Sequence, residues 1–187
     1  MAPTKGETGQ AADNVLGRNF LSEKPNQKWA TDVTEFRVRD RKLYLSPILD
    51  LFNGEIISYS LSESPNFAQV TDMLKKAFRK VKRAQTKGLI LHSDQGWQYQ
   101  MKRYQKLLQA RGIIQSMSRK GNCLDNAIIE NFFGTIKAEL FYLNKYLSID
   151  QLKKDIIDYI HYYNHDRIKL NLNGKSPVQY RALRIES

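Results

Sequence analysis

What most constrains the fold of this chain is a change of hydrophobic period past Leu61: three strand-like runs precede it, and helical spacing alternates with short apolar runs after it. Lys28 to Val38 is rich in aromatic and β-branched residues, with Asp32, Thr34 and Phe36 on one face by the period of two. Leu43 to Phe52 is nearly all apolar, as in a strand buried on both faces, and Pro47 inside it marks a bulge or a partly free edge. Asn53-Gly54 supplies the positive φ angles of a tight hairpin, and Glu55 to Leu61 is the return strand. The three strands are expected to form an antiparallel meander.

Ser64-Pro65 opens a helix with Phe67, Val70, Leu74, Ala77, Phe78 and Val81 at helical spacing. Leu89 to Leu91 reads as a short buried strand, Tyr99 to Ala110 as a basic helix, and Ile113 to Met117 as another strand. Ser118 to Leu124 is a loop containing Gly121. Asp125 can cap a helix to about Leu140, whose core stripe is Ile129, Phe132, Phe133, Ile136 and Leu140. Ser148 with Gln151 makes a capping box for a further helix, and a last one starts near Pro177. Alternation of strand and helix after a meander implies an α/β fold with a parallel section. Residues 1–19 are polar and without period and read as a flexible N-terminal linker or tail; residues 20–184 read as one domain with a real core.

The chain of 187 residues carries 30 Lys and Arg against 19 Asp and Glu, a net charge of +11. Such a surplus points to a polyanionic partner, nucleic acid or an anionic membrane. No apolar run approaches the ~18 residues of a membrane span, so nucleic acid leads and no membrane is expected. Cys123 is the only cysteine, which excludes an internal disulfide and suits a reducing compartment; it reads as inert. The N-terminus lacks a charged-then-apolar signal, and the expected location is cytoplasmic and nucleoid-associated. Thirteen bases fall in residues 73–120, where Asp94 is the single acid. A lone carboxylate in such a field is either a salt-bridge partner or a metal ligand beside a phosphate site.

Three carboxylates occupy suggestive places. Asp32 is mid-strand, Asp94 is at the C-terminal end of a buried strand, and Glu130 borders the buried face of a helix. Carboxylates in such places are costly unless paired or bound to metal. An oxygen-only set suits Mg²⁺ or Mn²⁺, and two such ions ~4 Å apart can serve an in-line phosphoryl displacement. The plain alternative is three unrelated structural carboxylates. His92 shares a strand face with Asp94; it contacts phosphate or a metal-ligand carboxylate, or is a satisfied structural histidine. Trp97 and Tyr99 read as packing or local-loop residues, with stacking on a DNA base as the alternative; Asp50, on a central strand, either sits near the three carboxylates or is a structural carboxylate, the safer reading. No His/Cys set has zinc spacing.

Sixty-one residues separate Asp32 from Asp94, and 35 separate Asp94 from Glu130. With Trp29-Ala-Thr-Asp32, His92-Ser-Asp94-Gln-Gly, Gly121-Asn-Cys-Leu-Asp-Asn126-Ala-Ile-Ile-Glu130 through Lys137, Tyr163-Asn-His-Asp-Arg167 and Lys175-Ser-Pro177, the chain resembles the DDE recombinases. The resemblance is to bacterial insertion-sequence transposases of the OrfB type, relatives of retroviral integrases, and covers roughly Asn19 to Arg184. It implies a ribonuclease-H-like core, a mixed five-stranded sheet flanked by helices. It implies Asp32, Asp94 and Glu130 as catalytic and metal-binding residues, two Mg²⁺ or Mn²⁺ ions, DNA strand cleavage at element ends, and strand transfer by the freed 3′-hydroxyl.

Lys137, close to two turns after Glu130, is expected to hold a DNA phosphate or base. Asn126, one turn before Glu130, could orient it or touch DNA. Arg119 and Lys120, in the loop ahead of Glu130, are expected to meet DNA. Many family members place a histidine two residues after the tail arginine, where this chain has Lys169. The resemblance implies element ends and target DNA as partners and a homo-oligomer assembled on DNA. It also implies an upstream helix-turn-helix region or a separate subunit that reads the ends. Two other classes share these features: a ribonuclease-H-like structure-specific nuclease that never joins strands, and a non-catalytic DNA-binding assembly subunit.

Overall fold

The computed structural model describes residues 8–119 and 126–185. β1 (Lys28–Thr31) and β2 (Thr34–Val38) both pair antiparallel with β3 (Arg41–Asp50). The register runs on unchanged, from Thr31 opposite Ile48 to Thr34 opposite Leu45. The two are one strand line interrupted at Asp32 and Val33, and this interruption turns the five expected strands into six. β4 (Ile56–Ser62) pairs with β3 and completes the meander, with a register shift between Ile48 and Leu49, one residue past Pro47. The turn from β3 to β4 is wider than a two-residue hairpin. Of Asn53 and Gly54 only Gly54 has a positive φ, 74°, and its amide donates to the Asp50 carbonyl at 2.8 Å.

β5 (Ile90–Ser93) runs parallel to β1, and β6 (Ile114–Met117) parallel to β5. From edge to edge the order is β4, β3, β1 with β2, β5, β6. The chain is therefore α/β with a mixed sheet, and the parallel half is the half that follows the first helix.

α1 (Phe67–Lys80) starts two residues later than Ser64-Pro65 suggests, because Asn66 caps it by accepting the Gln69 amide at 2.9 Å. α2 (Arg83–Thr86) is one turn. The expected basic helix is two, α3 (Trp97–Gln100) and α4 (Lys102–Ala110), divided at Met101, whose backbone is extended. α5 (Ala127–Ile136) passes into a π-helical turn, Lys137–Phe141. Ser148 Oγ accepts the Gln151 amide at the head of α6 (Ile149–His165). Ser176 and Gln179 bond reciprocally at the head of α7 (Pro177–Ile185), a capping box that the sequence reading passed over. The proposed cap Asp125, with Gly121 and Cys123, lies outside the described residues.

The sheet is covered on both faces. Trp29, Ile48, Met73, Leu74, Leu91, Tyr104 and Leu108 form the core under α1 and α4. Ala30, Phe36, Leu45, Leu49, Ile129, Phe132, Ile156 and Ile160 form the core under α5 and α6. Burying each such aliphatic or phenylalanine side chain contributes about 1.5–3 kcal/mol. Trp29 and Ala30 point to opposite faces, so the period of two carries Asp32 to the α5 side. The strand line thus delivers a carboxylate to the start of α5.

Residues 8–19, part of the segment expected to be a linker or tail, lie against the domain. Leu16 is buried, and its amide donates to Ser116 Oγ at 3.0 Å. The Met117 amide donates to the Asp13 carbonyl, and Gly9 donates to the Gln100 carbonyl. This segment lies along the outer side of β6, where an edge strand would otherwise present free backbone groups. Its polar composition carried no sign of this, because backbone groups rather than side chains make most of the contact. Among the described residues no helix is long and apolar enough to cross a membrane.

Candidate active site

Asp32 sits in the gap between β1 and β2, partly buried. Its Oδ1 accepts its neighbour Val33's amide at 2.7 Å, and its Oδ2 accepts Asn126 Nδ2 at 2.9 Å. Burial, then the negative charge of Asp94, and further the charge of Glu130 raise its pKa to about 7, against the lowering effect of those two hydrogen bonds. Two carboxylates distant in the chain, one from a strand end and one from a helix, therefore act on the one in the strand gap.

Asp94 follows β5, where the parallel strands end. Its Oδ1 accepts the Gly96 amide at 2.8 Å. A Cβ at Gly96 would stand 2.9 Å from that same oxygen, so glycine lets the turn close around the carboxylate. The loop is fastened by Gln95 Nε2 to the Ser118 carbonyl at 3.1 Å and by Gln100 Nε2 to the Gln95 carbonyl at 2.6 Å. Glu130 is exposed in the first turn of α5, next to the fully buried Ile129. An acidic side chain there is also favoured by the helix dipole.

Asn126 is buried at the head of α5, and it orients Asp32 rather than Glu130. Its Oδ1 has no hydrogen-bond partner among the described residues. His92 is 1% exposed, and its Nδ1 lies 2.8 Å from Ser116 Oγ, the residue opposite it on β6, a bond that joins two parallel strands. Lys137 is half-buried at the start of the π-helical turn, its Nζ 5.6 Å from the Phe36 ring centre. Arg119 is exposed at the border of the described residues, and Lys120 lies outside them.

From the sequence alone, Tyr99 has a packing or local-loop role, with stacking on a DNA base as the alternative. It is fully buried, and burial, then the charges of Asp32 and Asp94, raise its pKa well above the ordinary phenol value. Its ring packs in the core under α1 and α4, near enough for those two charges to act on it. No pattern in the chain could have found it, since its nearness to Asp32 is purely spatial. Asp50 is structural, as expected. It lies opposite Trp29, with Oδ2 accepting the Asn26 amide at 2.9 Å and Arg181 Nη2 at 2.6 Å.

Among the described residues, no three carboxylate, histidine or cysteine side chains stand close enough to form a ligand set for a metal. The donor chemistry of the three carboxylates still fits a hard divalent cation. It offers oxygens alone, and burial, with the like charges of Asp94 and Glu130, raises the Asp32 pKa, which a bound dication would reverse.

This sheet order, with carboxylates at the ends of its two central parallel strands and on the helix that crosses them, defines an integrase-type core. Two family models described as integrase core domain match residues 22–123 and 130–185, and the chain belongs to that family. A putative transposase for insertion sequence element IS150 of Escherichia coli is 58% identical over 177 residues, which is 95% of this chain and 62% of the relative. A transposase-like protein of Haemophilus influenzae is 56% identical over 178 residues, 95% of this chain and 81% of the relative. The chain thus spans about three fifths of the first relative's length. The HTLV-2 integrase catalytic core domain, solved in complex with magnesium, superposes with a TM-score of 0.66 at 20% identity, over 86% of this chain and 99% of that one. The fold is that of retroviral integrase cores, ribonuclease-H-like.

Proposed function

We propose that this chain is the catalytic part of a DNA transposase, which cleaves DNA strands and joins the freed 3′-hydroxyl to target DNA. The observation that carries the reading is that the charges of Asp94 and Glu130 both reach a partly buried Asp32, whose pKa is raised to about 7 by burial first and by those two charges after it. Asp32, Asp94 and Glu130 would hold two Mg²⁺ or Mn²⁺ ions. When bound, these would supply Lewis-acid stabilisation to the attacking and departing oxygens.

The chain's own residues do the rest. Asn126 and the Val33 amide fix the orientation of the Asp32 carboxylate, and Gly96 fixes that of Asp94. Lys137, Arg119 and Lys120 would neutralise phosphates flanking the scissile bond. Element ends and target DNA are the substrates, and assembly into a homo-oligomer on DNA accompanies the reaction. An upstream helix-turn-helix region or a separate subunit would read the ends. Support comes from the 58% identity to a putative transposase and the +11 charge.

The test is joining of a pre-cut oligonucleotide end to plasmid DNA with Mg²⁺ or Mn²⁺, for the wild type and Asp94→Asn. Joining that requires metal and Asp94 is the expected result. Cleavage without joining would make the chain a structure-specific nuclease. DNA binding with neither activity would make it an assembly subunit.

A further inference from the structure

Beside α5, away from the carboxylates, a cleft of about 630 Å³ opens between that helix, the β3–β4 turn and the segment after α6. Asn131 and Thr135 line it from α5, one and five residues past Glu130. Lys169 and Arg167 line it from the other side. Arg167 is already committed: its Nε and Nη2 grip Glu139 at 2.8 and 2.5 Å, and Tyr159 donates to the same carboxylate at 2.7 Å.

Lys169 is not so committed. Among the described residues its ammonium has no carboxylate within ion-pairing distance. Its Nζ donates to Tyr163 Oη at 2.6 Å and lies 4.5 Å from the centre of that ring. It also packs against the turn, where a Cβ at Gly54 would stand 2.5 Å from Nζ. An ammonium has three donors, and this one uses a single acceptor. Burial, and then the charge of Arg167, lower its pKa to about 8 against the raising charge of Glu139, so the ammonium is held without a carboxylate directly beside it. At the rim, Ile168 and Leu170 are exposed at 67% and 95%, apolar surface beside a cation.

We propose that this cleft takes a DNA phosphodiester, with Lys169 Nζ as its anchor and the sugar or base of that nucleotide against Ile168 and Leu170. The source is DNA because α5 lines both this cleft and the candidate active site, so a strand leaving Glu130 along the helix meets the cleft next. The inference rests on the reading of the chain as a DNA-processing enzyme, and it extends the DNA track past the carboxylates.

Two measurements in chelator, where no catalysis occurs, test it. The first is affinity for duplex oligonucleotide across a salt series. Lys169→Met, which keeps the side-chain length over Tyr163, is expected to lose about one phosphate contact. Its affinity would then fall three- to fourfold less than wild type between 50 and 200 mM salt, while Lys169→Arg and the surface variant Lys154→Met match wild type. The second measurement uses only the wild type, so a misfolded variant cannot spoil it. Amine acylation at pH 8, read by peptide mass, should modify Lys169 readily and should be suppressed by saturating oligonucleotide.

Protection of Lys169 by oligonucleotide but not by millimolar inorganic phosphate supports the proposal. Equal protection by inorganic phosphate makes the cleft a small-anion site and overturns it. So does unchanged labelling of Lys169 under oligonucleotide that protects other lysines. If the oligonucleotide protects no lysine at all, the reading of the chain as a DNA enzyme fails first.

Discussion

Two aspartates at opposite ends of one strand pair show how surroundings divide structural from functional carboxylates. Asp50 and Asp32 both lie on the central strands, and burial is the largest effect raising the pKa of each. At Asp50 the next effect is the opposing charge of Arg181, backed by two backbone amides. At Asp32 the next effect is the charge of Asp94, with Glu130 adding to it. One end of the sheet is closed by an ion pair joining the sheet to α7; the other collects like charges. A site that concentrates uncompensated negative charge on rigid elements is poised for a cation, whereas a compensated one only holds the fold together.

The sharpest way to break this comparison is to neutralise each aspartate in turn. Asp32→Asn, Asp94→Asn and Glu130→Gln should each reduce strand joining by about 10² to 10³ or more while the protein stays folded. Asp50→Asn should do the reverse, losing about 1–2 kcal/mol and some 2–8 °C of melting temperature, because Arg181 loses its buried partner and keeps only Glu55. Melting curves and joining yields on the same four variants decide the matter. A Glu130→Gln protein that joins normally, or an Asp50→Asn protein that melts like wild type, would sink the division.

The next effect is the pH dependence of metal-free stability. The Asp32 pKa rises on folding, from the ordinary 3.8 to about 7, so the folded state holds a proton that the unfolded state has released. The stability this lends is complete below about pH 4 and is lost as pH climbs through 7. In chelator the wild type should therefore lose more melting temperature between pH 5 and pH 8 than Asp32→Asn does. The variant should melt higher than wild type at pH 8, and the unpartnered Oδ1 of Asn126 can turn to accept from the new amide. Equal pH slopes for the two proteins would show that Asp32 does not feel its neighbours.

Gly96→Ala should cost joining about tenfold with little change in melting, since its Cβ would press on Asp94 Oδ1, at 2.9 Å, and shift the carboxylate. Joining at the wild-type rate would mean that the turn has room to give. The smallest expected effect belongs to Lys137→Ala, which should lower the slope of log affinity against log salt by roughly one. An unchanged slope, end preference and joining rate would leave Lys137 as a lysine that packs on Phe36 and does nothing more.

The elements were legible because their causes are local. Alternation in Thr34–Val38, the apolar run of β3 and the stripe Ile129, Phe132, Phe133 and Ile136 each follow from geometry within a few residues. The candidate site was proposed from the sequence in its members, because the spacing of Asp32, Asp94 and Glu130 and the words around them resemble a family, but not in its supports. Periodicity put Asn126 and Glu130 on one helix face, yet the partner of Asn126 is 94 residues away. Alternation put His92 on the face of Asp94, yet its partner is on the next strand.

Local chemistry thus determined by itself where strands and helices run, that the chain is strongly basic, and which carboxylates could carry metal chemistry. Tertiary structure alone decided which buried carboxylate is neutralised and which is not. Arg181 reaches Asp50 across 131 residues, and Arg167 takes Glu139 and leaves Lys169 beside an open cleft. The reason is physical: a charge's state depends on desolvation and on its neighbours within a few ångströms, and those neighbours come from segments that no local pattern connects.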